Sequence, residues 1–303
     1  MRRRVLIVVL VIAFLPLLPQ CVTATRTSAN SQPIIVLLTD FGERDHYVGA
    51  LKGAIYSANP SARIDSISHQ ISKFDIAEGA YTLAEAAHEY PSGTIFVAAV
   101  DPGVGSTRKG IAIRTSDAKI FIGPDNGLLS VAAEEAGVFE TRELTNRKLM
   151  HPGEISTTFH GRDIFGPLAG HVSAGTPFED VGPRLSHIVR LPELRATEDG
   201  GRVIGHVLHV DDYGNVITDI PIQMVETLGL RLGACASFTV GGKKLKARYV
   251  RTYSDVDAGA LLFLANKGYV EIAINMGNLA SETGAAHGMK MIVESRNEPP
   301  QPE

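Results

Sequence analysis

The run Ile34-Ile35-Val36-Leu37-Leu38 constrains this chain more than any other stretch. Consecutive β-branched and leucine residues with no polar interruption suit a strand covered on both faces, as in a parallel sheet. The run ends at the turn Thr39-Asp40-Phe41-Gly42, and residues 46–59 then show helical spacing, with Val48, Leu51, Ile55 and Tyr56 on one side and Asn59-Pro60 as the stop. The pattern recurs. Residues 63–68 alternate like a strand, 75–88 read as a helix, and 94–100 form a second buried strand that ends at Asp101. Residues 110–115 and 119–122 read as a hairpin and 127–136 as a helix. Strand, loop, helix, strand is the grammar of an open α/β sheet, and such sheets bind ligands beyond the carboxyl ends of their strands. Asp40 and Asp101 both fall at such ends.

The texture changes at residues 191–202, where Pro192-Glu193 and Glu198-Asp199-Gly200-Gly201 are polar and turn-rich. Residues 203–210, 216–220, 236–240, 245–251, 260–265 and 269–274 then read as short strands, with one helical stretch at 222–228 and a hairpin turn at Gly241-Gly242. The expected architecture is α/β. It has an N-terminal open, mostly parallel α/β sandwich domain over 34–190, a linker over 191–202, a small antiparallel β-sheet or barrel domain over 203–296, and a tail over 297–303.

Arg2-Arg3-Arg4 precede an apolar run over 5–18, and Val22-Thr23-Ala24 offers a small-residue exit. This reads as a secretory signal peptide over 1–24 followed by a Ser-rich tether over 25–33, so the chain is expected to be exported to a periplasm or the extracellular space. Retention of the segment as a membrane anchor, or lipidation at Cys21, are the alternatives. Cleavage after Ala24 leaves Cys235 as the only cysteine. With 303 residues, 44% of them hydrophobic, the chain can bury a sizeable core, and a net charge of -4 argues against a nucleic-acid surface.

Three polar islands in the first half of the chain could carry chemistry. Asp40 and Asp45 could aim two carboxylates into one cleft, suited to a ribose diol, an ammonium group or a metal; the plain alternative is turn formation and helix capping. Asp101-Pro102-Gly103-Val104-Gly105-Ser106-Thr107-Arg108 lacks the third glycine of a dinucleotide fingerprint and the lysine of a phosphate loop. Its Asp101 and Arg108 can instead pair bidentately, for structure or for function. Thr157-Thr158-Phe159-His160-Gly161-Arg162-Asp163 places a His, an Arg and an Asp inside an apolar segment. His160 is a candidate base, ligand or core histidine. A metal hydrolase built from Asp40, His69, Asp101, His160 and Asp163 lacks any paired ligand spacing, so no metal or other cofactor is expected. In the second half, Asp211-Asp212-Tyr213-Gly214-Asn215 puts carboxylates, an aromatic ring and an Asn on one turn. Asn can pair with an adenine edge and Tyr can stack on a base. Asn266-Lys267-Gly268-Tyr269 is a further turn between strands.

Together with Pro124-Asp125-Asn126-Gly127, these islands resemble, in order, the S-adenosylmethionine (SAM) hydroxide adenosyltransferases, relatives of the fluorinase and chlorinase enzymes. The resemblance spans residues 34–294. It implies hydrolysis of SAM to adenosine and L-methionine, by displacement at the ribose C5′. It also implies a homotrimer with each site between the N-terminal domain of one subunit and the C-terminal domain of its neighbour. On that resemblance Asp101, Arg108 and His160 form the triad that positions the water. Phe159, His160 and Gly161 line the place where halide-using relatives hold their ion. Fluorinases carry Tyr and Ser in place of His160 and Gly161, and chlorinases share the Gly. Asp40 would hold the ribose hydroxyls. Asn215 would read adenine with Tyr213 alongside. Asp45, Asp211 and Asn266 would face the methionine end, and Glu271 and Ile274 would line the adenosine end. The chain departs from the fluorinases at Ile217, where they have Trp, and at Ile274, where they have Arg. A SAM or adenosine binder with little turnover and a chlorinase-like halogenase are the competing readings.

Overall fold

The computed structural model describes residues 32–192 and 194–295. The expected signal segment, Cys21, most of the tether and the C-terminal tail lie outside the described residues. Among the described residues, no helix is long and apolar enough to cross a membrane.

The elements in chain order are β1 (Ile34–Thr39), α1 (Tyr47–Ala58), β2 (Arg63–Ser68), α2 (Ile76–Ala87), β3 (Ile95–Ala99), β4 (Gly110–Thr115), β5 (Ile120–Pro124), α3 (Ser130–Glu135), β6 (Val138–Glu143), α4 (Gly166–Ser173) and β7 (Arg184–Leu185). Their strands form one sheet in the order β2-β1-β3-β5-β4-β6-β7. β2, β1, β3 and β5 run parallel, whereas β4, β6 and β7 join by antiparallel pairing. The sheet is therefore mixed, with its parallel half where the fully apolar runs are. Alternate residues of β1 serve opposite faces, as a two-residue side-chain period requires. Ile35 and Leu37 pack with Leu51 and Ile55 of α1 and Leu168 and Val172 of α4. Val36 and Leu38 pack with Leu83 and Ala87 of α2 and Ala132 and Ala133 of α3. That makes a helix–sheet–helix sandwich. β2 and β3 lie on either side of β1, so the chain reverses its direction of strand addition there. Ligand crevices open at such switch points, beyond the strand carboxyl ends. Thr39 is paired with Ala99 across β1 and β3, which sets Asp40 and Asp101 at that shared rim.

The remaining elements are β8 (Thr197–Asp199), β9 (Arg202–Val210), β10 (Val216–Pro221), α5 (Ile222–Thr227), β11 (Cys235–Val240), β12 (Lys243–Tyr249), β13 (Leu261–Asn266), β14 (Tyr269–Ile274), α6 (Leu279–Thr283) and β15 (Lys290–Ser295). Pairing of β9 with β10 closes the order β10-β14-β13-β12-β11-β15-β9 into a barrel, antiparallel except at β12–β13. Closure removes the unpaired edges that an open sheet would expose. Inward residues such as Val203, Val216, Phe238, Phe263, Ile272 and Met291 form its core. β8, within the turn-rich segment after residue 191, pairs with β9 on the outside. Gly241 and Gly242, both at positive φ, make the tight β11–β12 turn that alternating strand pattern and paired glycines anticipate. The barrel meets the sandwich where Tyr81 of α2 stacks on His209 of β9 at 4.8 Å and Lys267 pairs with Glu85 at 2.5 Å.

Candidate active site

Asp101 leaves the end of β3 and Arg108 precedes β4, seven residues on. The loop between them folds back so that Arg108 Nε donates to Asp101 Oδ1 at 2.9 Å while Nη2 reaches Oδ2. This is the bidentate arrangement that makes Arg–carboxylate pairs rigid. Both side chains are about nine-tenths buried. The guanidinium also lies over the Phe165 ring, 5.4 Å from its centroid.

His160 reaches the pair from the far end of the domain in sequence. Arg108 Nη2 donates to His160 Nδ1 at 2.7 Å. A guanidinium has no acceptor, so this contact requires an unprotonated Nδ1, with the ring proton on Nε2 when the imidazole is neutral. Burial and the adjacent Arg108 charge hold His160 below the ordinary imidazole range, against the opposing pull of Asp101 and Asp163. A neutral ring is thus the favoured form here.

The segment that presents His160 is locked on several sides. Residues Gly161–Phe165 form a single π-helical turn that leads into α4; such turns recur at functional sites. Asp163 is fully buried and accepts from Arg162 Nε at 2.6 Å, from Arg162 Nη2 at 2.9 Å and from Ser156 N–H at 2.8 Å. Those charge-assisted bonds hold its carboxyl below the usual range despite burial. Arg162 lies over Phe159 at 5.1 Å, and Phe159 packs edge-on against Phe41 at 5.7 Å and Tyr47 at 5.3 Å. Gly161 sits under this cluster, where a Cβ would lie 3.3 Å from Phe41 Cζ. On the other side, Gly105 has φ +76°, and a Cβ there would overlap the Thr157 carbonyl oxygen. Only glycine lets the Asp101–Arg108 loop pass so close to the His160 segment.

Asp40 is buried at the neighbouring strand end. Its Oδ2 accepts Phe74 N–H at 3.0 Å, and Lys73 Nζ donates to its carbonyl. Phe74 holds φ +67°, an unusual conformation for an aromatic residue. Asp45 is exposed; the helix cap at α1 is His46, which makes no side-chain capping bond. No described hydrogen bond or ion pair ties Asp45 to the triad.

The six second-half candidates converge elsewhere. Asp211, Tyr213, Asn215, Asn266, Glu271 and Ile274 all line one open cavity of about 870 Å³. Asn215 Nδ2 donates to Asp211 Oδ2 at 2.8 Å, and Asn266 Nδ2 donates to Glu271 Oε2 at 2.7 Å. Tyr213 is 78% exposed. Sequence reasoning missed Tyr253, which lines the same cavity and donates its hydroxyl to Glu271. Burial and that carboxylate push the Tyr253 phenol well above its ordinary value. The only sequence signal is the Thr252–Asp255 capping box, which fixes the turn that carries the ring. Among the described residues no group of three or more His, Cys, Asp or Glu could hold a metal ion.

Comparison with known proteins agrees on one family. The profile of the SAM hydroxide adenosyltransferase N-terminal domain matches residues 35–182, and that of the C-terminal domain matches residues 205–292. A Salinispora tropica protein named (R)-S-adenosyl-L-methionine hydrolase is 36% identical over 265 residues, covering 86% of this chain and 97% of its own. A fluorinase from Nocardia brasiliensis is 30% identical, covering 88% and 99%. The crystal structure of an uncharacterized conserved protein from Thermotoga maritima superposes with a TM-score of 0.80 at 39% identity, covering 86% of this chain and all of that one.

Proposed function

Because the chain belongs to the SAM hydroxide adenosyltransferase family, we propose that it hydrolyses SAM to adenosine and L-methionine. One observation carries the reading: Asp101, Arg108 and His160, far apart in sequence, meet at a strand-end rim beside Asp40. Methionine leaves as a neutral thioether, so the reaction needs no general acid. It needs a water held in line with the C5′–sulfur bond and partly stripped of solvent. The balance is sulfonium plus water to alcohol, thioether and one proton.

In this mechanism the Arg108 charge favours hydroxide character in the bound water. Asp101 neutralises Arg108, so the site does not repel the sulfonium. His160 spends its Nδ1 lone pair on Arg108 and offers Nε2–H to orient the water. Asp101 keeps lone pairs beyond those facing Arg108 and takes the proton. Asp40 holds the ribose diol. The barrel cavity, with Asn215, Tyr213, Asp211, Asn266, Glu271 and Ile274, takes the remainder of SAM, and Asp45 faces its methionine end.

Each complete site is taken to be assembled from two copies of a homotrimer, the triad of one beside the barrel cavity of its neighbour, as the family resemblance implies. The N-terminal segment is proposed to direct export, so the SAM would be met outside the cytosol.

Incubating purified protein with SAM, each sulfonium epimer separately, and resolving nucleosides by chromatography tests the reading. Adenosine is expected, with and without exhaustive chelation. Retained SAM with no adenosine would indicate a binder. 5′-Chloroadenosine in added chloride would indicate a halogenase.

A further inference from the structure

The island Pro124-Asp125-Asn126-Gly127 makes no described side-chain bond to the triad, yet it holds both ends of the loop that carries Asp101 and Arg108. Asn126 Nδ2 donates to the Val100 carbonyl at 3.0 Å, one residue before Asp101. Asp125 N–H donates to the Lys109 carbonyl at 2.9 Å, one residue after Arg108. That same carbonyl accepts Arg108 Nη1 at 3.2 Å. The carboxamide orientation is dictated by chemistry, because Asn126 Oδ1 accepts Leu128 N–H at 3.1 Å while the Val100 carbonyl can only accept. The turn itself is pinned. Pro124 pairs with Gly110 at the last rung of β4–β5, and Gly127, at φ +99°, packs against Leu191 with no room for a Cβ.

We propose that Asn126 is a positioning residue for the reaction: bridging the carboxyl ends of β3 and β5, it fixes the backbone on one side of the Asp101–Arg108 loop while the Asp125 N–H fixes the other, and so sets where Arg108 meets His160. The kinetic consequence rests on the water-steering reading of the triad; the geometric consequence does not.

The test uses the full chain. Asn126→Asp keeps the oxygen that receives Leu128 N–H but sets a carboxylate oxygen against the Val100 carbonyl. Asn126→Ser, which also keeps an acceptor for that turn, carries the same readouts if the first variant does not fold. Kinetics with SAM are measured together with the NMR titration of His160, assigned against His160→Gln. The expected result is a fall in kcat on the order of 10- to 100-fold, because small misplacements at a reacting centre are costly, with KM nearly unchanged. His160 should titrate higher than in the parent, toward the ordinary 6.5, as Arg108 withdraws. On an Arg108→Ala background Asn126→Asp should cost clearly less in kcat than it does in the parent, because the two act through one loop.

Unchanged kcat and unchanged His160 titration in a folded variant overturn the proposal. So does a kcat loss with His160 unmoved, or losses that multiply in the double variant. Should the parent protein turn over no SAM, the functional reading fails, and the His160 shift still decides the positioning role.

Discussion

The rim of the sandwich and the cavity of the barrel are built to opposite plans. At the rim, the polar groups of Asp101, Arg108, His160, Arg162 and Asp163 are bonded largely to one another and wedged by aromatic rings. In the barrel, Asp211, Asn215, Asn266, Glu271 and Tyr253 surround open space, with Tyr213 largely exposed. A self-satisfied, wedged cluster holds geometry; an open cavity with ready donors and acceptors holds a ligand. Rate therefore belongs to the first region and affinity to the second, a division that kinetics can break.

The largest effect is expected from Arg108→Ala. It removes the group that stabilises developing charge, so kcat should fall by about 10²–10³-fold, with KM for SAM little changed. Adenosine formation under saturating SAM measures it, and a variant with full kcat would dissolve the rate-determining role of the rim. Gly105→Ala follows. Its Cβ would push the loop off Thr157 and part Arg108 from His160 without touching either. A kcat loss on the order of tenfold or more is expected, with KM unchanged.

The barrel should answer in the other quantity. Asn215→Ala is expected to raise KM about tenfold, as loss of a hydrogen-bond partner to a buried polar group costs ~1–3 kcal/mol, while kcat holds. If Asn215→Ala lowers kcat as strongly as Arg108→Ala does, the two regions are not divided as described.

The smallest effect is on pH. His160 is held below 6.5, and protonation would set imidazolium against Arg108. Activity should be fully present at neutral pH and fall only as the pH drops through that lowered value. Arg108→Ala should move the acid limb upward, which a pH profile of kcat resolves.

Legibility in the sequence divides along similar lines. Buried strands such as Ile34–Thr39 and Ile95–Ala99 announce themselves because both faces are apolar. β6, Val-Phe-Glu-Thr-Arg-Glu, does not. Its Glu140 is buried only because Arg114, Arg142 and Arg184 surround it, and that compensation comes from other elements. The parallel half and the antiparallel β4–β5 hairpin are legible, whereas β6 and β7, which extend the antiparallel side, carry those charges. β8 and β15 are short or lie beside charged ends, and barrel closure through β9–β10 leaves no local signal. At the site, polar islands at strand ends pointed to Asp40 and Asp101, and an ionisable cluster inside an apolar segment pointed to His160, because such residues need partners. Tyr253 escaped notice because a single ring in a short turn carries no periodicity, whereas Asn126 stands in a visible island whose part in the site is hidden, because its partners are backbone carbonyl and amide groups.

The central claim is that these residues deliver water to the C5′ carbon. Running one complete conversion of SAM in heavy-oxygen water and weighing the nucleoside by mass spectrometry tests it most directly. Adenosine carrying one heavy oxygen at the 5′-hydroxyl is the expected product. Adenosine without label, or a nucleoside with another nucleophile at that carbon, would contradict it.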